Sequence, residues 1–360
     1  MIKKHKLVFL AITILALSFF FIEDYFKSPQ KTPYYKEKMA AAELAALAMK
    51  TLKEEVLRRH IPLDSINDPN GTYLVGNRFS IITANQNSHT DVLTTLNPNF
   101  AAGILELFKK LKLTDGDIIA INTTGSFPGL NIALLSACEI IGLKPVITTA
   151  VSSASYGANI PEFTYLDMET FLQKEGIFHN RTYAASLGGE RDNGEGISPA
   201  GRELLMEAIK RNNVKLINRG SLADNIEERY EIFESFLKDN KKGLKVFIDV
   251  GGTITGFAQS VIDTLVKPGI NIYPEYQSFS NYGLVHQMLE ERIPFIFLGD
   301  IQNLAMSLRL SVSPIPQPLP GEDPLFYEER YSVKLAVLFL VCLLGLLFLY
   351  IRIEIYLRKK

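Results

Sequence analysis

Two uncharged apolar segments bracket the chain, residues 7–22 (LVFLAITILALSFFFI) and residues 335–351 (LAVLFLVCLLGLLFLYI), each long enough for a helix that enters a bilayer. Lys3, Lys4 and Lys6 precede the first, and Arg352, Arg358, Lys359 and Lys360 follow the second. Basic residues stay on the cytoplasmic side, so both termini are expected there. Acidic residues (Glu23 and Asp24; Glu322, Asp323, Glu328 and Glu329) lie on the inner sides of the segments and do not oppose this. The first segment also fits a signal peptide, but IEDYFKSPQ after it offers no small-x-small cleavage site, which favours a retained signal anchor. The second has no polar face, which argues against a buried helix of a soluble fold. The expected location is the cell (inner) membrane, with the lipid bilayer as a partner and the main domain extracytoplasmic.

Between the segments, helix formers run without Gly or Pro from Tyr34 to His60 and predict a membrane-proximal helix with Leu44, Leu47, Leu52 and Val56 as its buried stripe. Packing within the chain and a coiled-coil dimer contact are both open to it. Beyond it, short β-branched runs alternate with helical patterns. That rhythm predicts an α/β fold, a mostly parallel sheet with helices on both faces, flanked by an N-terminal and a C-terminal transmembrane helix. Candidate strands are residues 80–83, 118–122, 145–150, 182–185, 215–218, 245–249 and 294–298; candidate helices include residues 99–111, 130–141, 199–211 and 222–236. Prolines 314, 316, 318, 320 and 324 rule out a regular helix and predict an extended tether. The expected organisation is a cytoplasmic N-terminus (1–6), a signal anchor (7–22), the membrane-proximal helix (23–60), an α/β domain (61–310), a Pro-rich tether (311–330), a transmembrane helix (331–351) and a basic tail (352–360).

With 38 basic and 39 acidic residues the chain is nearly neutral, which implies no nucleic-acid partner and makes any charge recognition local. Of the two cysteines, Cys138 lies in an apolar helical run and Cys342 in the second apolar segment, so neither a disulfide framework nor a cysteine-rich metal site is expected. No cofactor is expected either.

Four loops carry the candidate chemistry. TTGSFPGLN follows a strand and opens a helix, where glycine allows close backbone approach and a helix dipole favours an anion; Thr123, Thr124, Gly125, Ser126, Gly129 and Asn131 form the candidate pocket floor. The spacing matches neither GxGxxG, GxxxxGK[ST] nor GxSxG, and a tight structural turn is the alternative. Ser152 and Ser153 follow the next strand and should emerge beside Ser126, either as ligand contacts, as a nucleophile or as helix caps. The histidines His60, His89, His179 and His286 show no triad spacing. In SLGGERDNGEG, Arg191 is a candidate carboxylate clamp on a loop that is otherwise a solvated surface segment. Asp249, Gly251, Gly252 and Thr253 resemble the first phosphate motif of sugar kinases and actin-like ATPases, although no second phosphate loop accompanies them.

Taken together, NPNFAAGILELFKKLKL, GSFPGLNIALLSACEIIGLKPV, SYGANIPEFTYLDME, AASLGGERDNGEGISPAGRELL and FIDVGG, in that order, resemble the bacterial poly-gamma-glutamate system protein family. The resemblance spans most of residues 35–310 and departs at Thr253, where the family shows a further glycine. It implies a membrane-anchored component of poly-gamma-glutamate synthesis or export. The expected partners are the synthase or export components, with the anionic polymer itself as a ligand. Two roles follow, an accessory or polymer-binding protein and an anchored hydrolase or transferase acting on a carboxylate-rich substrate.

Overall fold

The computed structural model of the chain describes residues 2–237, 243–258, 266–272 and 282–359. They form two compact units, residues 1–33 with 326–360, and residues 34–325.

The first unit pairs the chain ends. Helices Ile2–Tyr25 and Val333–Lys359 extend past the apolar cores read from the sequence, and both are long and apolar enough to cross a membrane. Phe19 stacks on Phe339 at 4.1 Å and Phe9 meets the edge of Tyr350 at 5.9 Å, so the helices run antiparallel. The same register continues into an antiparallel strand pair, with Ser28 opposite Arg330 and Lys31 opposite Tyr327. Both termini therefore lie at the same end of this unit. Lys360, part of the basic tail, lies outside the described residues.

The second unit is built on a seven-stranded sheet, ordered Lys215–Leu216, Ala184–Ser186, Lys144–Ala150, Ile118–Thr124, Leu244–Val250, Phe295–Leu298, Gly269–Asn271. All neighbours are parallel except the last pair. Ile118 and Ala120 join a core with Phe233, Phe247 and Phe295. Ile119 and Ile121 point to the opposite face and are equally buried. Burial on both faces explains why these strands read as apolar runs rather than as alternating patterns.

One strand expectation changes, and one strand is added that no expectation covered. Residues 80–83 are not a strand of the main sheet; the chain pairs there only over Thr83–Asn85, with Ser153–Ala154, in a separate two-stranded piece. The antiparallel Gly269–Asn271 edge strand begins on the glycine that follows Pro268 and carries no apolar run to announce it.

Helix Tyr35–Arg58 packs against helices Phe100–Lys110 and Pro128–Ile141. Its buried face keeps Leu52 and Val56 of the predicted stripe, but Leu47 is half exposed and Leu44 only partly buried, and Ala41, Ala45 and Ala48 are fully buried in their stead. Alanine brings the helix backbones close, so that part of the buried face follows from small size rather than from large apolar side chains. The Pro-rich segment is irregular, but it is not a free tether up to Leu325. Asn97 and Asn99 each donate to the buried Asp323 (2.7 and 2.8 Å), Asn70 donates to the Pro314 carbonyl (2.9 Å), and Leu325 is fully buried. Proline removes backbone donors from this stretch, and side chains of the domain take over its anchoring.

Candidate functional site

Strands 144–150, 184–186 and 215–216 spread from one side of the Ile118–Thr124 strand and strand 244–250 from the other. The order of the chain reverses at that strand, and such a switch point opens a crevice at the carboxyl ends of the strands. Register puts Thr124 beside Ala150, Ala150 beside Ser186 and Asn122 beside Asp249, so the loops that follow emerge at one edge.

A cavity of about 180 Å³ lies there. Of the residues singled out in the sequence, Thr124, Ser126, Ser152, Ser153, Gly251, Gly252 and Thr253 line it. Asn85, Asn87, Gly188, Gly189, Asp192 and Thr255 complete much of the wall and were not anticipated.

Thr123, Gly125, Gly129 and Asn131 do not line it and hold the turn behind it. Thr123 donates to Asn131 Oδ1 (2.5 Å) while Asn131 Nδ2 donates to the Thr124 carbonyl (2.8 Å), a buried clasp that sets the strand-to-helix turn. The Gly125 N–H continues the ladder to Ala150 (3.0 Å), and its carbonyl accepts from Ala158 (2.8 Å). Gly129 sits where a Cβ would lie 2.6 Å from the Thr95 carbonyl oxygen. Gly129 is therefore a packing residue. Gly129→Val should destabilise the domain by about 1–3 kcal/mol. Ser126→Ala should cost only about 1 kcal/mol, because Ser126 Oγ accepts one bond from the Ala154 N–H (3.0 Å) and shares another with Thr124. Thermal denaturation of the two variants checks both. A loss below about 1 kcal/mol for Gly129→Val would show that the loop tolerates the added valine.

The loop after Leu244–Val250 closes on its own carboxylate. Asp249 is fully buried and accepts from the Thr253 N–H (3.0 Å), the Thr253 hydroxyl (2.6 Å) and Asn122 Nδ2 (3.0 Å). Thr253 Oγ1 also accepts from Gly256 N (2.9 Å) and so caps the short helix Ile254–Phe257. Burial pushes the Asp249 carboxyl up to about 6, against the opposing pull of Thr253, Asn122 and the Gly252 backbone. Gly251 N–H bonds to the Leu298 carbonyl, and the Gly252 and Thr253 amides turn inward to Asp249. These amides therefore make no phosphate cradle, and the likeness to a kinase loop ends at the sequence.

Arg191 does not reach the cavity. Its side chain is 67% exposed and pairs with Glu195 at 3.2 Å. Its neighbour Asp192 is the residue that turns inward, fully buried with φ +60, and is gripped by Arg229. An aspartate among four glycines, a residue type that tolerates the left-handed backbone, was the available signal for Asp192. Arg229, within a helix that otherwise reads as amphipathic, had none.

None of the described residues lining the cavity is a lysine, arginine or histidine. Ser153 Oγ donates to the Ala154 carbonyl (2.9 Å), while Ser152 Oγ makes no hydrogen bond to a described residue and faces the cavity. The wall thus offers hydroxyls and side-chain amides to a polar ligand, with no imidazole to activate a serine. No protein-family model, curated protein or solved structure matches the chain.

Proposed function

We propose that this protein is a membrane-anchored component of a poly-gamma-glutamate synthesis or export system and that it acts by binding a polar ligand at the strand-end cavity rather than by catalysis. The observation that carries the binding reading is the convergence of loops from residues 85–87, 124–127, 152–154, 188–192 and 251–255 on one cavity lined by hydroxyls and amides, with no histidine among its described residues. The assignment to this polymer rests on the family-like sequence blocks. The antiparallel terminal helices and their basic flanks support a domain that faces outward. The free Ser152 hydroxyl favours the second reading, an anchored hydrolase or transferase, to the extent that a ligand group could serve as its base.

Binding of the full chain in detergent to poly-gamma-glutamate, polyaspartate and an uncharged polymer tests the proposal. The expected result is selective binding of the first that weakens with salt. Binding to none of them, with surface polymer unchanged in a deletion strain, removes the assigned role, and shortening of the bound polymer moves the protein to the enzymes. For orientation, a cysteine placed at the exposed Arg191, in a background lacking Cys138 and Cys342, should react with an impermeant thiol reagent in intact cells or spheroplasts. A cysteine at Lys359 should not. The opposite pattern reverses the orientation.

A further inference from the structure

A carboxylate entering the strand-end cavity would shed hydration, and no described residue lining it carries a compensating positive charge. One cation stands directly behind that wall. Arg229, fully buried on the helix Leu222–Ser235, directs Nη1 to Asp192 Oδ2 (2.6 Å) and Nη2 to Asp192 Oδ1 (3.2 Å). Ser186, the last residue of its strand, donates to the same Oδ1 (2.5 Å) and accepts from Arg229 Nη2 (2.8 Å). Asn225 Nδ2 adds a longer contact to Oδ2 at 3.4 Å and donates to the Asp192 carbonyl at 3.2 Å. A guanidinium fork, a hydroxyl and an amide around one carboxylate make a complete recognition site for that group. Among the described residues Arg229 Nε has no hydrogen-bond partner, so the guanidinium retains a donor that Asp192 does not satisfy.

The two sides of this contact differ in kind. The seat comes from a strand end and a helix. The carboxylate comes from a loop in which Gly188, Gly189, Gly194 and Gly196 all have positive φ, as does Asp192 itself. Asp192 is also the only carboxylate among the described residues lining the cavity. A loop of this composition has few side-chain anchors to hold it closed, and the Asp192 to Arg229 pair is the strongest of them.

We infer that Arg229, Ser186 and Asn225 form the carboxylate-recognition seat of the ligand site and that Asp192 fills it in cis, as a resident stand-in that an incoming ligand carboxylate displaces. This rests on reading the protein as a binder of a carboxylate-bearing polymer. Because Asp192 is tethered beside the seat, its effective concentration is high, and a single free carboxylate competes poorly with it. A polymer that presents many carboxylates competes better, and the seat then selects a polyanion over a monomer.

The full chain in detergent tests this with acetate as the probe. Asp192→Gly removes the stand-in, and glycine accepts the φ of +60 without strain. Sodium acetate should raise the melting temperature of Asp192→Gly saturably relative to sodium chloride at equal ionic strength. It should leave an Asp192→Gly, Arg229→Met double variant unmoved and bind the wild-type chain at least tenfold more weakly. If Asp192→Gly does not stay folded in chloride, its refolding on addition of acetate, absent in the double variant, takes the place of the melting shift. Hydrogen exchange of the helix Leu222–Ser235 in Asp192→Gly supplies an independent reading, with slower exchange expected in acetate than in chloride. No stabilisation of the single variant, equal stabilisation of the double variant, or unchanged exchange in that helix overturns the seat. Acetate tests the seat without the polymer. Failure of polymer binding with acetate rescue intact would therefore remove the polymer assignment alone, and polymer binding without rescue would remove the seat alone.

Discussion

Arg229→Met is expected to destabilise the domain by about 3–5 kcal/mol, because it leaves the Asp192 carboxylate buried without a counter-charge. Both side chains of this pair are completely buried, and the 2.6 Å contact joins loop 188–196 to helix Leu222–Ser235. Asp192→Leu alone should be comparably damaging, since it strands the guanidinium. The double variant Asp192→Leu, Arg229→Met should recover most of the loss, because a buried ion pair replaced by apolar groups of similar volume is often near neutral. A double-mutant cycle from denaturant unfolding reads this directly. Additive losses would mean that the two groups act independently, which the shared Ser186 hydroxyl and the bidentate geometry do not allow.

Stability of the domain is expected to fall as pH rises from about 4 to about 7. Glu169 is buried on helix Tyr165–Lys174, with Oε2 accepting from the Thr182 N–H (3.1 Å) and Oε1 without a hydrogen-bond partner among the described residues. Burial pushes its carboxyl from 4.5 up to about 7, only partly opposed by Thr182, Tyr165 and Arg181. Asp249 rises for the same reason, from 3.8 to about 6. Between the unfolded and folded values the native chain holds more protons than the unfolded chain, so each unit of pH in that window lowers stability. Each group contributes a loss of about 3 kcal/mol, complete once pH exceeds its folded value.

Below that window the sign reverses. Burial also pushes on Glu106 and Asp167, but Lys38 and Lys110 on the first, and Arg211, Asn212 and Thr164 on the second, outweigh it and hold both below their ordinary values. Their stabilisation is present above the unfolded values and is lost as acid protonates them. The optimum therefore lies in mildly acidic solution. Glu169→Gln should flatten the upper part of the profile and stabilise the domain at pH 8 by up to about 3 kcal/mol. A melting temperature of the wild-type chain that does not change between pH 4.5 and 8 would mean that neither carboxyl is strained by its burial.

The candidate site was legible in pieces. Its hydroxyl and glycine loops stood out because strand-to-helix junctions need small residues and capping side chains, and those signals are local. Their division of labour was not legible. Thr123, Gly125, Gly129 and Asn131 look like pocket residues in the sequence and prove to hold the turn, because the clasp of Thr123 with Asn131 and the approach of Gly129 to Thr95 exist only once helices and strands are packed. The SLGGERDNGEG loop reaches the cavity through Asp192, whereas Arg191 stays exposed. The exposed arginine has the obvious chemistry, while the inward turn of Asp192 is set by a partner 37 positions away.

By itself the sequence determined the features that depend on near neighbours: two terminal apolar helices, the alternation of strands and helices, a parallel sheet of doubly buried apolar strands, and loops with small and hydroxyl-bearing residues at strand ends. These follow from periodicity and composition over windows of about 5–20 residues, where burial is nearly all that distinguishes one conformation from another. Tertiary structure decided the rest. The order of strands put residues 124–127 and 251–255 on either side of one crevice. Close packing added Ala41, Ala45 and Ala48 to Leu52 and Val56 on the buried face of helix Tyr35–Arg58, docked the proline segment through Asp323, and paired Asp192 with Arg229. Each of these is a contact between segments far apart in the chain. Its energy depends on desolvation and fit in the assembled core, and no local pattern of residues records either.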